Sequence, residues 1–231
     1  MSRETIQGLW VGKLGPMGRL SIRSFLANGH PYRLWTYQDR SELDGLPSNT
    51  EVRDADEIMP YAEYNYLATF ADVFRYRLLH LRGGWWADMD VVCAKPFDFG
   101  DRHVLCSEGI NDDKAEIPSN AVIRAPKDSP LLAWLDGYIK TLPPPEKWGT
   151  LMGLLSNGVE ALDLWDYVEP ASSFCPIPWW KASEYLEGTM GSFLNSYAFH
   201  LWHNRWLEEG FSENASSGIY GELKVKYGCS V

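Results

Sequence analysis

The chain has 231 residues, enough for one domain with a full core or at most two small lobes. Hydrophobic residues make up 45% and charged residues 23%, as in ordinary soluble globular proteins, and a net charge of -10 without a basic run argues against a nucleic-acid partner. No apolar run approaches the roughly 18 residues that span a bilayer, so we expect no transmembrane segment.

The cysteines predict neither a zinc site nor a disulfide framework. Cys93, Cys106, Cys175 and Cys229 are widely spaced and lack a Cys-x-x-Cys pattern. Since no signal-peptide pattern is present either, the expected location is the reducing cytoplasm.

The first part of the chain alternates between strand and helix patterns. The predicted elements are a strand at 7–11, a helix from about 18 to 28, a strand at 32–37, and a short strand and turn within 52–59. The order strand, helix, strand implies a parallel pair with a crossover, and so an α/β domain. Open sheets of this kind bind ligands at the carboxyl ends of their strands, which places Gly12 and Lys13 near any nucleotide.

Residues 66–82 form the most informative helix pattern. Its apolar stripe has spacings of three and four and consists of Leu67, Phe70, Phe74, Leu78 and Leu81. Asp72, Arg75 and Tyr76 lie beside that stripe. Gly83 and Gly84 are expected to end the helix, because glycine readily adopts the left-handed conformation of helix ends.

A short strand with two carboxylates follows the glycines. Strand alternation would point Trp86, Asp88 and Asp90 to one face. Like charges this close repel, and a divalent cation held by both carboxylates explains them economically. The alternative is a solvated turn in which the two aspartates merely end a strand.

The second half of the chain continues the mixed pattern. Predicted elements are a strand at 103–107, a polar loop at 108–119, a strand at 121–124, helices at 131–142 and 148–162, an extended aromatic segment at 174–180 and a closing segment at 198–206. A triple proline at 143–145 is a rigid break between the two helices. The 11 Trp residues suggest a cleft that stacks on rings such as sugars or bases, although packing explains part of them.

The segment 72–90 resembles a known family. Asp72, Arg75, Leu79, the two glycines, Trp86, Asp88 and Asp90 match every fixed position of D-x-x-R-x-x-x-L-x-x-x-G-G-x-[YW]-x-D-x-D. This is the sugar-binding region of D-x-D glycosyltransferases of the Och-type, capsular polysaccharide and α-1,4-glycosyltransferase group. Further segments with a likeness to the family are 9–12, 119–126 and 200–206, so most of the chain is covered.

The resemblance implies a single GT-A-type, Rossmann-like domain over 1–231, with a mostly parallel central sheet flanked by helices. Its nucleotide-sugar-binding half would be 1–100. Residues 101–231 would form the acceptor side and a C-terminal metal-binding element. The implied activity is metal-dependent, retaining transfer of a sugar from a nucleotide donor, with the departing phosphate taking the acceptor proton.

The resemblance also implies roles for individual residues. Asp88, Asp90 and Arg75 would be catalytic. Metal ligands would be Asp90, Asp88, His200 and His203, and an imidazole ligand favours Mn²⁺ over Mg²⁺. Donor-binding residues would be Leu9, Trp10, Gly12, Asp72, Arg75, Tyr76, Trp86, Asp88 and Asn120.

The implied partners are a UDP-sugar, or a GDP-sugar, and a glycan, lipid-linked or protein acceptor. A lipid-linked acceptor would place the protein at the inner membrane face, and a glycan acceptor would place it in polysaccharide biosynthesis. For the acidic loop with Glu108, Asp112 and Asp113 we predict no catalytic role, because such loops are usually solvated.

The residues themselves leave alternatives open. Asp72 and Arg75 could form a surface salt bridge on a helix, and His200 could be a core histidine bonded to backbone. A nucleotidyltransferase or phosphohydrolase also uses paired carboxylates and cations. A glycan-binding module or inactive transferase would use the same tryptophans without catalysis.

Overall fold

A six-stranded sheet forms the centre of the computed structural model, which describes residues 3–61, 67–110, 116–141 and 150–229. Its strands are β1 (Ile6–Trp10), β2 (Tyr32–Thr36), β3 (Glu51–Asp54), β4 (Gly84–Ala87), β6 (Val104–Gly109) and β7 (Glu116–Ala125). Their order is β3-β2-β1-β4-β7-β6. The β1 pairings with β2 and β4 and the β2–β3 pairing are parallel, whereas β7 runs antiparallel to β4 and β6.

A second sheet consists of two antiparallel strands, β5 (Val91–Cys93) and β8 (Ala198–His200). The helices are α1 (Pro16–Ala27), α2 (Leu67–Arg82), α3 (Pro130–Ile139), α4 (Thr150–Ala161), α5 (Ala171–Phe174), α6 (Glu184–Glu187), α7 (His203–Glu209) and α8 (Gly218–Lys226). Short 3₁₀ turns occur at Arg40–Glu42, Ala55–Glu57, Trp165–Tyr167, Trp179–Lys181 and Met190–Phe193. No helix in these described ranges is both long and apolar enough to cross a bilayer.

The central sheet has a hydrophobic core on each face. Phe25 of α1 packs with Trp85 on one face, and Phe74 of α2 packs with Trp86 on the other. Successive strand residues point to opposite faces, so the two neighbouring tryptophans of β4 enter different cores. A third cluster joins α6, α7 and α8 to β5 and β8. The predicted α/β fold with a mainly parallel sheet flanked by helices is confirmed.

The glycine pair ends α2 as predicted. Gly83 has a φ of +65° and Gly84 a φ of +90°. A Cβ on Gly83 would lie 2.4 Å from the backbone nitrogen of Lys127, so only glycine fits at this crossing. The exit of the helix is therefore determined both by backbone conformation and by the loop that crosses it.

Two predicted segments differ from the structure. Strand β7 begins at Glu116, so the loop expected to reach residue 119 is shorter, because its end pairs with β6 from Cys106 to Gly109. The expected extended segment at 174–180 instead contains the end of α5 and the start of a 3₁₀ turn. Proline at 176 and 178 interrupts regular pairing there. Asp112, Asp113, Leu142 and the triple proline lie outside the described residues.

Candidate functional site

A turn between β4 and β5 carries the two aspartates. The strand ends at Ala87, and the N–H of Val91 donates to the carbonyl of Asp88 at 3.0 Å. The N–H of Asp88 donates to the carbonyl of Ala121 at 2.9 Å, which ties the turn to β7. The prediction of strand alternation through Asp90 is therefore wrong, because the chain must reverse into β5. The turn still brings both carboxylates together.

His200 completes a cluster with these carboxylates. One ligand-type atom from each of Asp88, Asp90 and His200 lies within 4.8 Å of the others. Nε2 of His200 is 3.4 Å from Oδ2 of Asp90. The pairing of β5 with β8 places Val91 opposite His200, so the second sheet is what delivers the imidazole. This position excludes the alternative of a core histidine bonded only to backbone.

Arg75 lies behind the cluster and joins Asp88 to Asp72 on α2. Its Nη2 is 3.0 Å from Oδ1 of Asp72 and 3.0 Å from Oδ1 of Asp88. Its Nη1 donates to the carbonyl of Asn120 at 2.5 Å and to Oδ2 of Asp88 at 3.3 Å. Only 4% of the arginine side chain is exposed, so the pair with Asp72 is not the surface salt bridge considered above. A buried, forked guanidinium holds carboxylates in fixed orientation.

Trp86 supports the same cluster from the core. Its Nε1 donates to Oδ1 of Asp88 at 2.8 Å, and the guanidinium of Arg75 lies 5.1 Å from its ring centroid. The residue is 1% exposed, so its ring is not open to a donor, and its expected donor contact is corrected to a supporting one. Its large side chain fills the core under α2 instead, and its indole N–H orients an aspartate.

Asn120 and Tyr76 continue the network beneath the site. Nδ2 of Asn120 donates to Oδ1 of Asp72 at 3.0 Å and to the hydroxyl of Tyr76 at 3.3 Å. Tyr76 is fully buried, so it acts through Asn120 and Asp72 and does not reach a donor itself. Its predicted donor contact is thereby corrected to a supporting one.

Burial and neighbouring charges shift the pKa values of the ionisable groups at the site in opposite directions. Burial raises the pKa of Asp72 to about 6, and it also raises that of Asp88, with Asp90 adding to the effect. For Asp90, burial is outweighed by His200 and the N–H of His203, so its pKa is held below the usual range. Burial disfavours the imidazolium of His200, but Asp90, then Asp88 and Glu108, raise its pKa to about 9. In the metal-free protein at neutral pH, a charged His200 therefore faces a charged Asp90.

His203 contributes its backbone and not its imidazole. Its N–H donates to Oδ2 of Asp90 at 2.8 Å, while its Nε2 is 3.1 Å from Oε1 of Glu213. The other oxygen of Glu213 accepts the N–H of Met17, at the start of α1, at 2.8 Å. The expected role of His203 as a metal ligand is corrected, because Glu213 holds its ring away from the cluster.

The predicted nucleotide side lies at the end of β1. Leu9 is 7% exposed and packs in the core, so only its backbone is placed to touch a donor. The ring of Trp10 lies 6.5 Å from that of His203, and its Nε1 is buried without a hydrogen-bond partner among the described residues. Gly12 has a φ of +94° and donates to Oε1 of Gln38 at 2.7 Å. An unpaired buried donor next to an open glycine turn is consistent with a ligand edge at this place.

Sequence reasoning missed four residues around the cluster. Sγ of Cys175 is 3.8 Å from Nδ1 of His200, and the Trp202 ring centroid is 3.8 Å from that of His200. Glu213 holds His203, and Glu108 is buried at 8% exposure. No local pattern marks these residues, because each reaches the site through tertiary contacts. The aromatic run at 199–206 is the only signal that pointed to this region.

Comparisons with known proteins concern the family and the fold. Residues 19–109 match the family described as "Glycosyltransferase sugar-binding region containing DXD motif". The structure "PaToxG Glycosyltransferase" is similar with a TM-score of 0.50 and 15% sequence identity, over 69% of this chain and 69% of that chain. No curated protein sequence is significantly similar.

A second solved structure, the apo-form glycosyltransferase GlyE of Streptococcus pneumoniae TIGR4, is 10% identical with a TM-score of 0.47, over 98% of this chain and 64% of that chain. The family match supports a glycosyltransferase with a D-x-D motif, and the likeness to the first structure concerns the fold. The narrower likeness to the Och-type and capsular group stays a prediction.

Proposed function

We propose that the protein is a metal-dependent, retaining glycosyltransferase. Its donor is a nucleotide sugar, with a UDP-sugar favoured over a GDP-sugar. Its acceptor is a hydroxyl of a glycan. The observation that carries this proposal is the convergence of Asp88, Asp90 and His200 within 4.8 Å, directly beside the buried Arg75. A group of this kind is not expected in a core that serves stability alone, because the burial of two carboxylates carries a large desolvation penalty.

The residues present fit a divalent cation. Carboxylate oxygens suit Mg²⁺ and Mn²⁺, and an imidazole ligand shifts the preference toward Mn²⁺. The 3.4 Å between Nε2 of His200 and Oδ2 of Asp90 suits two ligands of one ion, each about 2 Å from it. Side chains of Asp88 and Asp90 retain 21% and 15% exposure, so the cluster is open to a phosphate. When bound, the ion supplies positive charge against the departing diphosphate.

The chain's own residues orient this centre. Arg75 fixes both oxygens of Asp88, and Trp86 adds an N–H to one of them. Asp72 receives Arg75 and Asn120 on a single oxygen, Oδ1, which would leave Oδ2 to accept a sugar hydroxyl. Preorganised partners of this kind save the cost of ordering the site during the reaction.

The proposed transfer needs no separate base. The acceptor oxygen bonds to the anomeric carbon on the face from which the phosphate leaves. The bond to the phosphate oxygen breaks with its electron pair, and the acceptor proton passes to that oxygen. This retains the anomeric configuration.

The test is nucleotide release with Mn²⁺ and a panel of UDP- and GDP-sugars, with the product anomer assigned by NMR. We expect Asp88→Asn and Asp90→Asn to reduce release by a factor of at least about 100. Asp98→Asn, at an exposed position, serves as the control. Turnover that survives the double variant contradicts the metal assignment, and pyrophosphate or inorganic phosphate as the product indicates a different enzyme class.

A further inference from the structure

Trp179 and Trp180 form a corner that is joined to the cluster through neighbouring residues and belongs to none of the interactions described so far. Trp179 and Trp180 meet with ring centroids 5.5 Å apart and an interplanar angle of 85°. Trp179 is 42% exposed, and the guanidinium of Arg205 lies 5.8 Å from its ring centroid. Two indoles at right angles offer one broad face and one edge to a ligand in the angle between them.

Two connections join this corner to the catalytic cluster. Nε1 of Trp202 donates to the carbonyl of Ile177 at 2.7 Å, and the ring of the same tryptophan packs on His200. Trp202 has a left-handed backbone, with a φ of 61°, which is unusual for a bulky residue. Surrounding contacts must hold Trp202 in that conformation. Its hydrogen bond to Ile177 therefore fixes the segment before Trp179 on the side of the site that carries His200.

The second connection runs through the end of β6. The indole of Trp180 covers Gly109 so closely that a Cβ there would lie 3.1 Å from its ring. The preceding residue, Glu108, is buried at 8% exposure and lies in β6 beside β7, the strand that carries Asn120, whose carbonyl accepts from Arg75. In the described part of the chain, the hydroxyl of Ser119 is its hydrogen-bond partner, at 3.0 Å. A nearly buried carboxylate thus lies between the tryptophan corner and the metal cluster, with acceptor capacity left over.

We propose that Trp179, Trp180 and Glu108 form an acceptor subsite for one pyranose ring of a glycan. This rests on the proposed function, since the corner matters as a subsite only where a sugar is transferred. A pyranose has an apolar C–H face and a rim of hydroxyls. An indole face binds the apolar C–H face, and a carboxylate accepts a hydrogen bond from a hydroxyl of the rim.

Other exposed aromatic residues do not share this placement. Trp134 and Tyr138 stack on α3, and Trp165 bonds Glu160 through its Nε1. The described side-chain contacts of these three involve neither Gly109 nor Trp202. Trp165 is a matched control, because it is 44% exposed and its truncation removes a surface comparable to that of Trp179.

The first test measures kinetics with maltose, lactose and α-mannobiose as acceptors, using the donor that gives nucleotide release. We expect Trp179→Ala to raise the acceptor KM by about tenfold and to lower transfer relative to donor hydrolysis. Trp179→Phe should restore part of the affinity, because it keeps a ring. Glu108→Gln should also raise the acceptor KM while retaining an acceptor for Ser119. Trp165→Ala should leave the acceptor KM unchanged.

The second test needs no turnover. In protein labelled with 5-fluorotryptophan, the resonance lost in Trp179→Phe should shift on addition of a disaccharide but not of sorbitol, which has no pyranose ring. A KM for acceptor that is the same in Trp179→Ala and Trp165→Ala overturns the subsite, as does a Trp179 resonance that none of the three disaccharides shifts. Absence of nucleotide release with a shifted Trp179 resonance overturns the proposed function and not the sugar-binding corner.

Discussion

Nε2 of His200 lies 3.4 Å from Oδ2 of Asp90, and a two-stranded ribbon outside the central sheet holds this pair together. The N–H of Leu201 donates to the carbonyl of Asp90 at 2.9 Å, so the backbone on both sides of the pair is bonded. The imidazole that we propose as a metal ligand, from the last fifth of the chain, is thereby placed as firmly as the aspartates themselves. The behaviour of this pair on metal binding can be measured directly.

Manganese affinity should rise with pH between about 6.5 and 9. In the metal-free protein the pKa of His200 is raised to about 9, whereas a ligating imidazole must be neutral. Binding below pH 9 therefore releases a proton, while Asp90, whose pKa is lowered, releases none in this range. Calorimetry in buffers of different ionisation enthalpy measures the proton count.

The same group makes an opposite contribution to metal-free stability. A raised pKa stabilises the folded protein fully below pH 6.5, and this contribution is lost as the pH rises through about 9. His103→Asn is the control, because that side chain bonds Ser129 and not the cluster. Affinity that does not change with pH would contradict a protonated His200.

Arg75→Met should destabilise the fold as well as abolish turnover. The substitution leaves Asp72 and Asp88 without their shared cation in a site where the arginine is 4% exposed. Removal of one partner from a buried ion pair costs about 3–5 kcal/mol. Arg33→Met, whose pair with Glu51 is much more exposed, should cost less than about 1 kcal/mol. Urea unfolding compares the two, and equal losses would mean that the Arg75 network adds nothing to the fold.

Trp86→Phe should separate ring packing from the indole hydrogen bond. Phenylalanine keeps an aromatic ring beneath Arg75 but removes the N–H that donates to Asp88 at 2.8 Å. We expect a loss of about 1 kcal/mol in stability and about a tenfold loss in turnover. In Trp165→Phe an exposed indole loses its bond to Glu160, and turnover should not change. Wild-type turnover in Trp86→Phe would show that Asp88 needs no such donor.

Cys175→Ala should weaken metal binding without removing a ligand. Its Sγ lies 3.8 Å from Nδ1 of His200, on the ring side opposite Asp90. Removal of a group that contacts a ligating histidine typically lowers metal affinity by about 10- to 100-fold. Cys93→Ala removes another buried thiol, one that donates to the carbonyl of Lys95, and controls for cavity formation. Identical Mn²⁺ affinities of the two variants in titration would exclude a positioning role for Cys175.

Local sequence patterns predicted most of the helices and strands and the segment that carries Asp72, Arg75, Asp88 and Asp90. The three- and four-residue spacing in α2 places Asp72 and Arg75 on one side of the helix, three residues apart, and they do form an ion pair. The glycine pair predicted the end of that helix for a backbone reason that holds for any fold. The burial of the pair was not predictable, because it depends on Asn120 of β7 and on Asp88 of the turn after β4.

The C-terminal element shows why the rest was out of reach. The family resemblance implied that His200 and His203 are both metal ligands. Only the contact with Glu213 turns the second ring away, and that contact depends on the packing of a loop against α1. Glu108 likewise looked solvated beside polar neighbours, until β7 paired with β6 and buried it.

The amino-acid sequence by itself determined the alternation of strands and helices, the end of α2 and the D-x-D region, because these follow from dihedral preferences and side-chain periodicity within one segment. The tertiary structure alone decided which carboxylates are charged, which histidine meets them and which tryptophans remain open to a ligand. Those properties depend on burial and on distances between residues far apart in the chain, and no local pattern encodes either.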